Sequence, residues 1–355
     1  MADVRGSLTT PRGGGQQRAL YSMRSPAGAG HVQPFALPSS SYDWRLPERS
    51  IRVWTPRSYE SSPDRRYPTL YCHDGQHLMA EAWKSWRLHV TLSELIDEGT
   101  IEEPIVVMID HVGPLMPGDL GPEMLPLVRR RWLEYNLDVP IFGQRYLSYL
   151  CSELKPAIDR AFRTLPSAEH THALGASMGG TAAFLSVYRR PDVFGHAACL
   201  SPAFNAPLIA EVALRGGDRF ARASRKPRIY IDNGGDTPDR RVDLLEGLNE
   251  GGFWWLDTSL NAGVDGMLSA LRGHNETVEL AWHREPGGRH SERDWGRRAE
   301  RPLRHLLGTA PSARDGATCS GRVRRGNLIH TYDEGTRGTH SSFVDIMVAD
   351  TLVSC

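Results

Sequence analysis

Gly175-Ala176-Ser177-Met178-Gly179 sets a serine between flanking glycines. This is the pattern of a tight strand-to-helix turn that lifts a hydroxyl clear of the backbone. A serine hydroxyl is a weak nucleophile near neutral pH, so a base must take its proton and an acid must fix the base's tautomer. Seven histidines follow Ser177. Of these, His290 ends the loop Gly287-Gly288-Arg289-His290, after the apolar run 278–282 and before a helix expected from about Asp294. A base on such a loop can swing over the nucleophile. His283 lies at a strand end and His305 on an amphipathic helix, positions typical of structural or solvated histidines.

The acid is sought after the serine and before the histidine. Ile229-Tyr230-Ile231-Asp232 reads as a strand that ends in Asn233-Gly234-Gly235-Asp236. Asp232, Asp236 and Asp239 are the candidates. Asp232 closes the strand, where it can hold the loop, whereas Asp236 stands beyond the glycines, within reach of a neighbouring loop, and is preferred. The oxyanion formed during acyl transfer needs preorganised donors, and the backbone N–H of Met178 at the start of the following helix supplies one.

These residues need a scaffold that brings distant loops to one edge. The runs 51–54, 69–72, 105–109, 197–200, 228–232 and 278–282 read as strands, and 172–174 extends into the serine turn. Leu88, Leu92, Leu95 and Ile96 mark one apolar face of a helix ending near Gly99. Tyr146, Leu150, Leu154, Ile158 and Phe162 repeat that period, and 180–188 continues the serine turn as a helix. Alternation of this kind predicts an α/β fold, a mostly parallel central sheet flanked by helices. Residues 1–42 read as a flexible leader, 43–308 as one catalytic domain and 309–355 as an irregular tail relieved by the apolar run 343–353.

Composition narrows the function classes. The 355 residues carry 42 basic and 42 acidic side chains, so no overall positive field favours nucleic acid or an anionic membrane. The cysteines Cys72, Cys151, Cys199, Cys319 and Cys355 form no Cys-x-x-Cys pair, and neither a disulfide framework nor a metal-ligand pattern is visible. No signal-like or membrane-spanning run is seen, and a cytoplasmic protein is expected.

Several blocks together resemble the esterase family of α/β-hydrolases that includes esterase D, the enterochelin esterases and feruloyl esterase domains. They are Leu46-Pro47-Glu48-Arg49 with Val53-Trp54-Thr55-Pro56, Tyr67 to Gln76 with its His73-Asp74-Gly75-Gln76 turn, Glu153-Leu154-Lys155-Pro156, Gly175 to Gly180, and His290-Ser291-Glu292 with Trp295 and Arg298. The resemblance spans about residues 44–307. It implies an α/β-hydrolase fold, a Ser, Asp/Glu, His triad and hydrolysis of carboxylic esters without a cofactor. It also implies that the second oxyanion donor is the backbone N–H of Gln76, with Gly75 the neighbouring possibility. The acid loop is about one residue shorter than the family's usual run, which bears on the choice of Asp236. His77 and Met79 replace the Asn and Phe common after the His-Asp-Gly-Gln block.

The connection between Ile109 and Tyr146 is long and carries Pro114, Pro117, Pro122 and Pro126, and loops of that length are usually functional. Within it, Arg131, Glu134 and Tyr135 resemble an Arg-x-x-Glu-Tyr stretch of the family's cleft loop. Trp83, Arg131 and Tyr135 are the expected substrate contacts, with Trp86, Trp132, Trp254 and Trp255 also near the substrate side. Such a wall suits short-acyl or aryl esters of polar alcohols, the leaving group being a sugar, siderophore or similar polyol. An acyltransferase using the same acyl-serine step, as in the similarly folded mycolyltransferases, and a silent binding protein on the same scaffold are the alternatives. Oligomeric state is not legible.

Overall fold

Short runs of five or six residues pair into a sheet of eight strands among the residues that the computed structural model describes, namely 30–37, 49–80, 85–111, 131–235 and 254–309. The strands are β1 (His31–Phe35), β2 (Ile51–Thr55), β3 (Thr69–His73), β4 (Ile105–Ile109), β5 (Thr171–Ala176), β6 (His196–Leu200), β7 (Arg228–Asn233) and β8 (Glu279–Arg284). Their order is β1-β2-β4-β3-β5-β6-β7-β8. The pairs β1·β2 and β2·β4 are antiparallel and every other pair is parallel. Because β3 to β7 run parallel, their carboxyl ends converge on one edge, and the loops that follow them build the site.

Helices α1 (Leu88–Asp97), α2 (Gly143–Tyr149), α3 (Lys155–Ala161), α4 (Met178–Arg189), α5 (Ala206–Phe220), α6 (Trp254–Arg272), α7 (Glu292–Arg298) and α8 (Glu300–Leu307) flank the sheet. Side chains alternate across it. Tyr71, Ala173, Ala197, Ile229 and Ile231 join a core that includes residues of α2 to α6, and Leu70, Leu174, Ala198, Leu200 and Tyr230 join one built with α1, α7 and α8. Small residues keep the centre thin: Ala182 and Ala183 of α4 pack in the same core as Ala173 and Ala197.

The expected strands and the fold class are found, with adjustments that have local causes. His31–Phe35 lies inside the stretch expected as a leader, yet forms the edge strand, with Pro34 opposite Arg52. Proline is tolerated there because an edge strand leaves one row of N–H groups unpaired. The helix expected over Tyr146 to Phe162 is interrupted by a π-helical turn at Leu150–Leu154 just before Pro156. Proline has no N–H to donate, and its ring crowds the preceding turn's carbonyl, which the wider turn relieves. After α8, Gly308 makes an isolated antiparallel bridge with Ile101, ahead of β4, while Glu102 N–H donates to the Leu307 carbonyl over 2.7 Å. The rest of the leader, the tail with its 343–353 run and the four prolines of the long connection lie outside the described residues.

Cys72, Cys151 and Cys199 are buried free thiols. Burial raises all three thiol pKa values, Cys151 to about 11. Among the described residues, no helix is long and apolar enough to cross a membrane and no cluster of metal-ligating side chains occurs.

Candidate active site

Ser177 sits between β5 and α4 with φ 56° and ψ −130°, a conformation rare for a residue with a side chain. The neighbours explain how it is held. Ser177 N–H donates to the Leu200 carbonyl over 2.9 Å, tying the turn to the end of β6. The Ser177 carbonyl accepts from the N–H groups of Gly180 at 3.0 Å and Thr181 at 3.2 Å. Any side chain at Gly175 would collide with the Gly179 carbonyl, so this glycine is demanded by the crossing of strand and helix. A Cβ at Gly179 would fall 2.7 Å from Asp74 Oδ2. Met178 opens α4 as its first residue, so its own N–H has no intrahelical acceptor.

Gln76 stands on the neighbouring strand end. β3 pairs with β5, and the chain leaves β3 through Asp74, at φ 57°, into the single turn Gly75–His77. Gly75 lies against the end of β4, where a Cβ would be 2.6 Å from the Ile109 nitrogen. The Gln76 side chain is 4% exposed and accepts from His111 N–H through Oε1 at 3.3 Å, which pins the turn to the segment after β4.

The Arg131, Glu134 and Tyr135 stretch supports this turn. Arg131 makes a bidentate pair with Asp74, Nε to Oδ1 at 2.8 Å and Nη2 to Oδ2 at 2.6 Å. Tyr135 accepts from Asp74 N–H and donates to Asp74 Oδ1, each at 3.1 Å. Burial opposes ionisation of Asp74, yet the Arg131 charge and its hydrogen bonds overcome it and hold the carboxyl below its ordinary range. Glu134 is fully buried and pairs with Arg49 at 3.0 Å, and the Arg49 guanidinium lies over the Tyr146 ring. Tyr146 Oη in turn meets His73 Nδ1 at 3.0 Å. Burial lowers the His73 pKa to about 4, so the ring is neutral at pH 7. As placed, the guanidinium of Arg131, expected on the substrate wall, is engaged by the turn.

His290 follows β8 and is partly exposed, its ring edge-on to Trp295 at 4.8 Å. Ser291 caps α7 by accepting from Asp294 N–H, while Asp294 Oδ2 accepts from Arg289 N–H at 2.7 Å. Trp295 Nε1 donates to Ser201 Oγ at 3.0 Å, so the histidine rests on a ring anchored to the residue that follows β6. Ser201 itself takes φ 43°. Ser177 and His290 thus lean on the same strand end from different directions.

Asp232 is buried. Its Oδ1 accepts from Arg298 Nε at 3.1 Å and from Ser201 N–H at 3.3 Å, and its Oδ2 accepts from Tyr230 Oη at 3.3 Å. It therefore braces the floor under Ser201. Asp236 and Asp239 lie outside the described residues; Gly235 N–H, just after β7, donates to the Gly288 carbonyl at 2.9 Å, joining the end of β7 to the His290 loop. His283 pairs with Glu285, and His305 is half-buried beside Arg228, which opens β7 at the amino edge of the sheet. Sequence reasoning missed Ser201 and the bracing by Arg298. Trp295 and Arg298 in the His290 block were the available signal.

Trp83 lies outside the described residues, as do the side chains of Trp254 and Trp255. Trp86 is buried against Trp295. Trp132 is 50% exposed at the lip of a cleft of about 320 Å³ that also takes in Tyr135, Met178 and Thr181.

Among solved structures, the siderophore hydrolase EstB from Aspergillus nidulans is 18% identical with a TM-score of 0.55, covering 81% of this chain and 97% of its own. The enterobactin esterase FES from Shigella flexneri is 17% identical with a TM-score of 0.54, covering 79% and 60%. These likenesses speak to the fold. A curated relative, an endo-1,4-beta-xylanase/feruloyl esterase from Xylanibacter ruminicola, is 26% identical over 190 residues, 51% of this chain; the match spans only 23% of the relative's length. The family described as "Putative esterase" matches residues 46–298, from the block before β2 to the end of α7, and the chain belongs to that family.

Proposed function

We propose that the protein is a serine hydrolase of carboxylic esters, with Ser177 as nucleophile, His290 as base and Asp236 as the acid that orients it. The observation that carries this reading is Ser177 itself, held at φ 56° between a strand and a helix N-terminus in a chain of this family. Strain at a residue with a side chain persists only where the surroundings enforce it, and it clusters at functional sites.

In this reading Ser177 Oγ attacks the ester carbonyl as His290 takes its proton. The resulting oxyanion accepts from the N–H groups of Met178 and Gln76, which stand on adjacent strand ends. His290 passes the proton to the departing alcohol, leaving an acyl-serine. Water, deprotonated by His290, then releases the acid and restores Ser177. Asp236 is favoured over Asp232 because the Asp232 carboxylate is occupied by Arg298 and Ser201. The substrate class is short-acyl or aryl esters of polar alcohols, supported by a site lined with Trp132, Tyr135 and Asn136 instead of a continuous apolar surface. The turnover of nitrophenyl butyrate is expected to exceed that of the palmitate ester.

The deciding experiment is labelling by a fluorophosphonate probe with parallel nitrophenyl butyrate turnover. The wild type is expected to label and turn over, and Ser177→Ala to lose both while keeping its circular dichroism spectrum. Unchanged turnover in Ser177→Ala would end the proposal.

A further inference from the structure

The cleft beside Met178 has a direction relative to the proposed chemistry. Its floor is formed by Met178, Thr181 and Leu185, which follow one face of α4 at helical spacing, and its far wall by Asn205 and Leu208 around the start of α5. Leu185, Tyr135 and Leu208 belong to the core on one face of the sheet. His290 is seated on Trp295, which belongs to the core on the opposite face. A base that hands its proton to the leaving oxygen must stand beside the alcohol, so the acyl group extends the other way. The cleft is therefore on the acyl side.

Its polar groups are mostly committed. Tyr135 Oη serves Asp74, Asn205 Oδ1 caps α5 through Leu208 N–H at 2.9 Å, and the rim carboxylates of Asp138 and Glu211 both pair with Arg189. No Lys or Arg is among the described residues that line the cleft. Thr181 differs from its neighbours. It is only 9% exposed, and its Oγ1 is buried without a hydrogen-bond partner among the described residues. A buried hydroxyl left unpaired is costly, and an acceptor on the ligand removes that cost. Thr181 lies one helical turn beyond Ser177, so that acceptor belongs a few bonds from the ester carbonyl.

Resting on the esterase reading above, we propose that this cleft is the acyl pocket and that Thr181 makes it selective for uncharged, compact acyl groups carrying an oxygen acceptor a few bonds beyond the carbonyl. An anionic acyl group finds no cation in the lining, and the volume of about 320 Å³ is at the small end for small-molecule sites.

The test compares kcat/KM for the nitrophenyl esters of 3-methoxypropanoate and pentanoate, which differ by one oxygen in place of a methylene. In Thr181→Val the methoxypropanoate-to-pentanoate ratio is expected to fall about five- to tenfold from its wild-type value, the loss of one hydrogen bond. Thr181→Ser, which keeps the hydroxyl, is expected to restore the ratio. In a series of pentanoate esters with different alcohols, Thr181→Val is expected to leave the relative rates as in the wild type. A ratio unchanged in Thr181→Val, or one that moves with the alcohol instead of the acyl group, would overturn the acyl-pocket assignment while leaving the esterase reading intact. A wild type that neither labels with fluorophosphonate nor cleaves either ester would overturn both.

Discussion

Asp232 and Asp236, four positions apart in sequence, illustrate how differently the same side chain is used. Asp232 accepts from Arg298, Ser201 and Tyr230 in the buried floor. Asn there removes the carboxylate charge from a fully buried ion pair with Arg298, so Asp232→Asn is expected to lower stability by about 3–5 kcal/mol in denaturant unfolding. Asp236→Asn is expected to act on turnover, cutting kcat by orders of magnitude with little change in unfolding midpoint, because its proposed task is to hold an imidazole tautomer. If Asp236→Asn is mild and Asp239→Asn severe, the acid is Asp239. Arg131 shows the same division between binding and support. Arg131→Ala removes a bidentate partner from Asp74 and is expected to cost about 1.5–3 kcal/mol of stability. The accompanying loss is expected in kcat more than in KM, since the proposed Gln76 donor would be displaced while the cleft wall remains. A pure KM effect would return Arg131 to the substrate.

At the scale of elements, α4 and the turn after β3 are built against each other, with Gly179 as the point of closest approach. Gly179→Ala would place a methyl group 2.7 Å from Asp74 Oδ2, and the Arg131 pair prevents that carboxylate from moving freely. We expect Gly179→Ala to lose at least tenfold in kcat and about 1–3 kcal/mol of stability, the usual range for overpacking. Wild-type kcat would show that the two elements slide without consequence. The strands β3 to β7 and helices α1 and α4 were legible because their burial is one-sided or complete and leaves a period in the sequence. β1 was not, since a partly exposed edge strand with a proline carries no such period. The π turn was equally hidden, because Pro156 signals a disturbance without saying which form it takes. Ser177 and the His290 loop were legible as local motifs. Ser201 was not, because its partners Asp232, Trp295 and Arg298 are brought together only by the sheet order.

The whole molecule is polarised along its strands, with the proposed chemistry at the carboxyl edge and a set of neutral histidines at the amino edge. His172 stacks on His196 at 5.2 Å, His196 Nδ1 accepts from Arg228 N–H at 2.9 Å, and Arg228 donates to the carbonyls of His305 and Leu306. Burial, seconded by the Arg228 charge, lowers His196 to about 3 and His305 to about 4, and burial with the neighbouring His196 lowers His172 well below its ordinary value. In the unfolded chain each ring titrates near 6.5. Between that value and the folded one, the unfolded state binds more protons, so stability is full above pH 6.5 and is lost as the pH falls. Each such ring contributes a slope of about 1.4 kcal/mol per pH unit in that window. His73, lowered to about 4 by its own burial, adds to the same slope from the site end of β3. The paired carboxylates whose values are lowered, such as Asp74 and Glu211, release their contribution only as the pH drops below the ordinary carboxylate range. Burial raises the Asp110 carboxyl, which works in the opposite sense, so unfolding free energies measured in urea from pH 7 to pH 5 report the histidines net of that group. They are expected to decline steeply, and His305→Gln is expected to reduce the slope by about 1.4 kcal/mol per pH unit without altering turnover at pH 7.5. A stability that stays flat from pH 7 to pH 5 would mean that these rings gain protons in the fold as readily as in the unfolded chain.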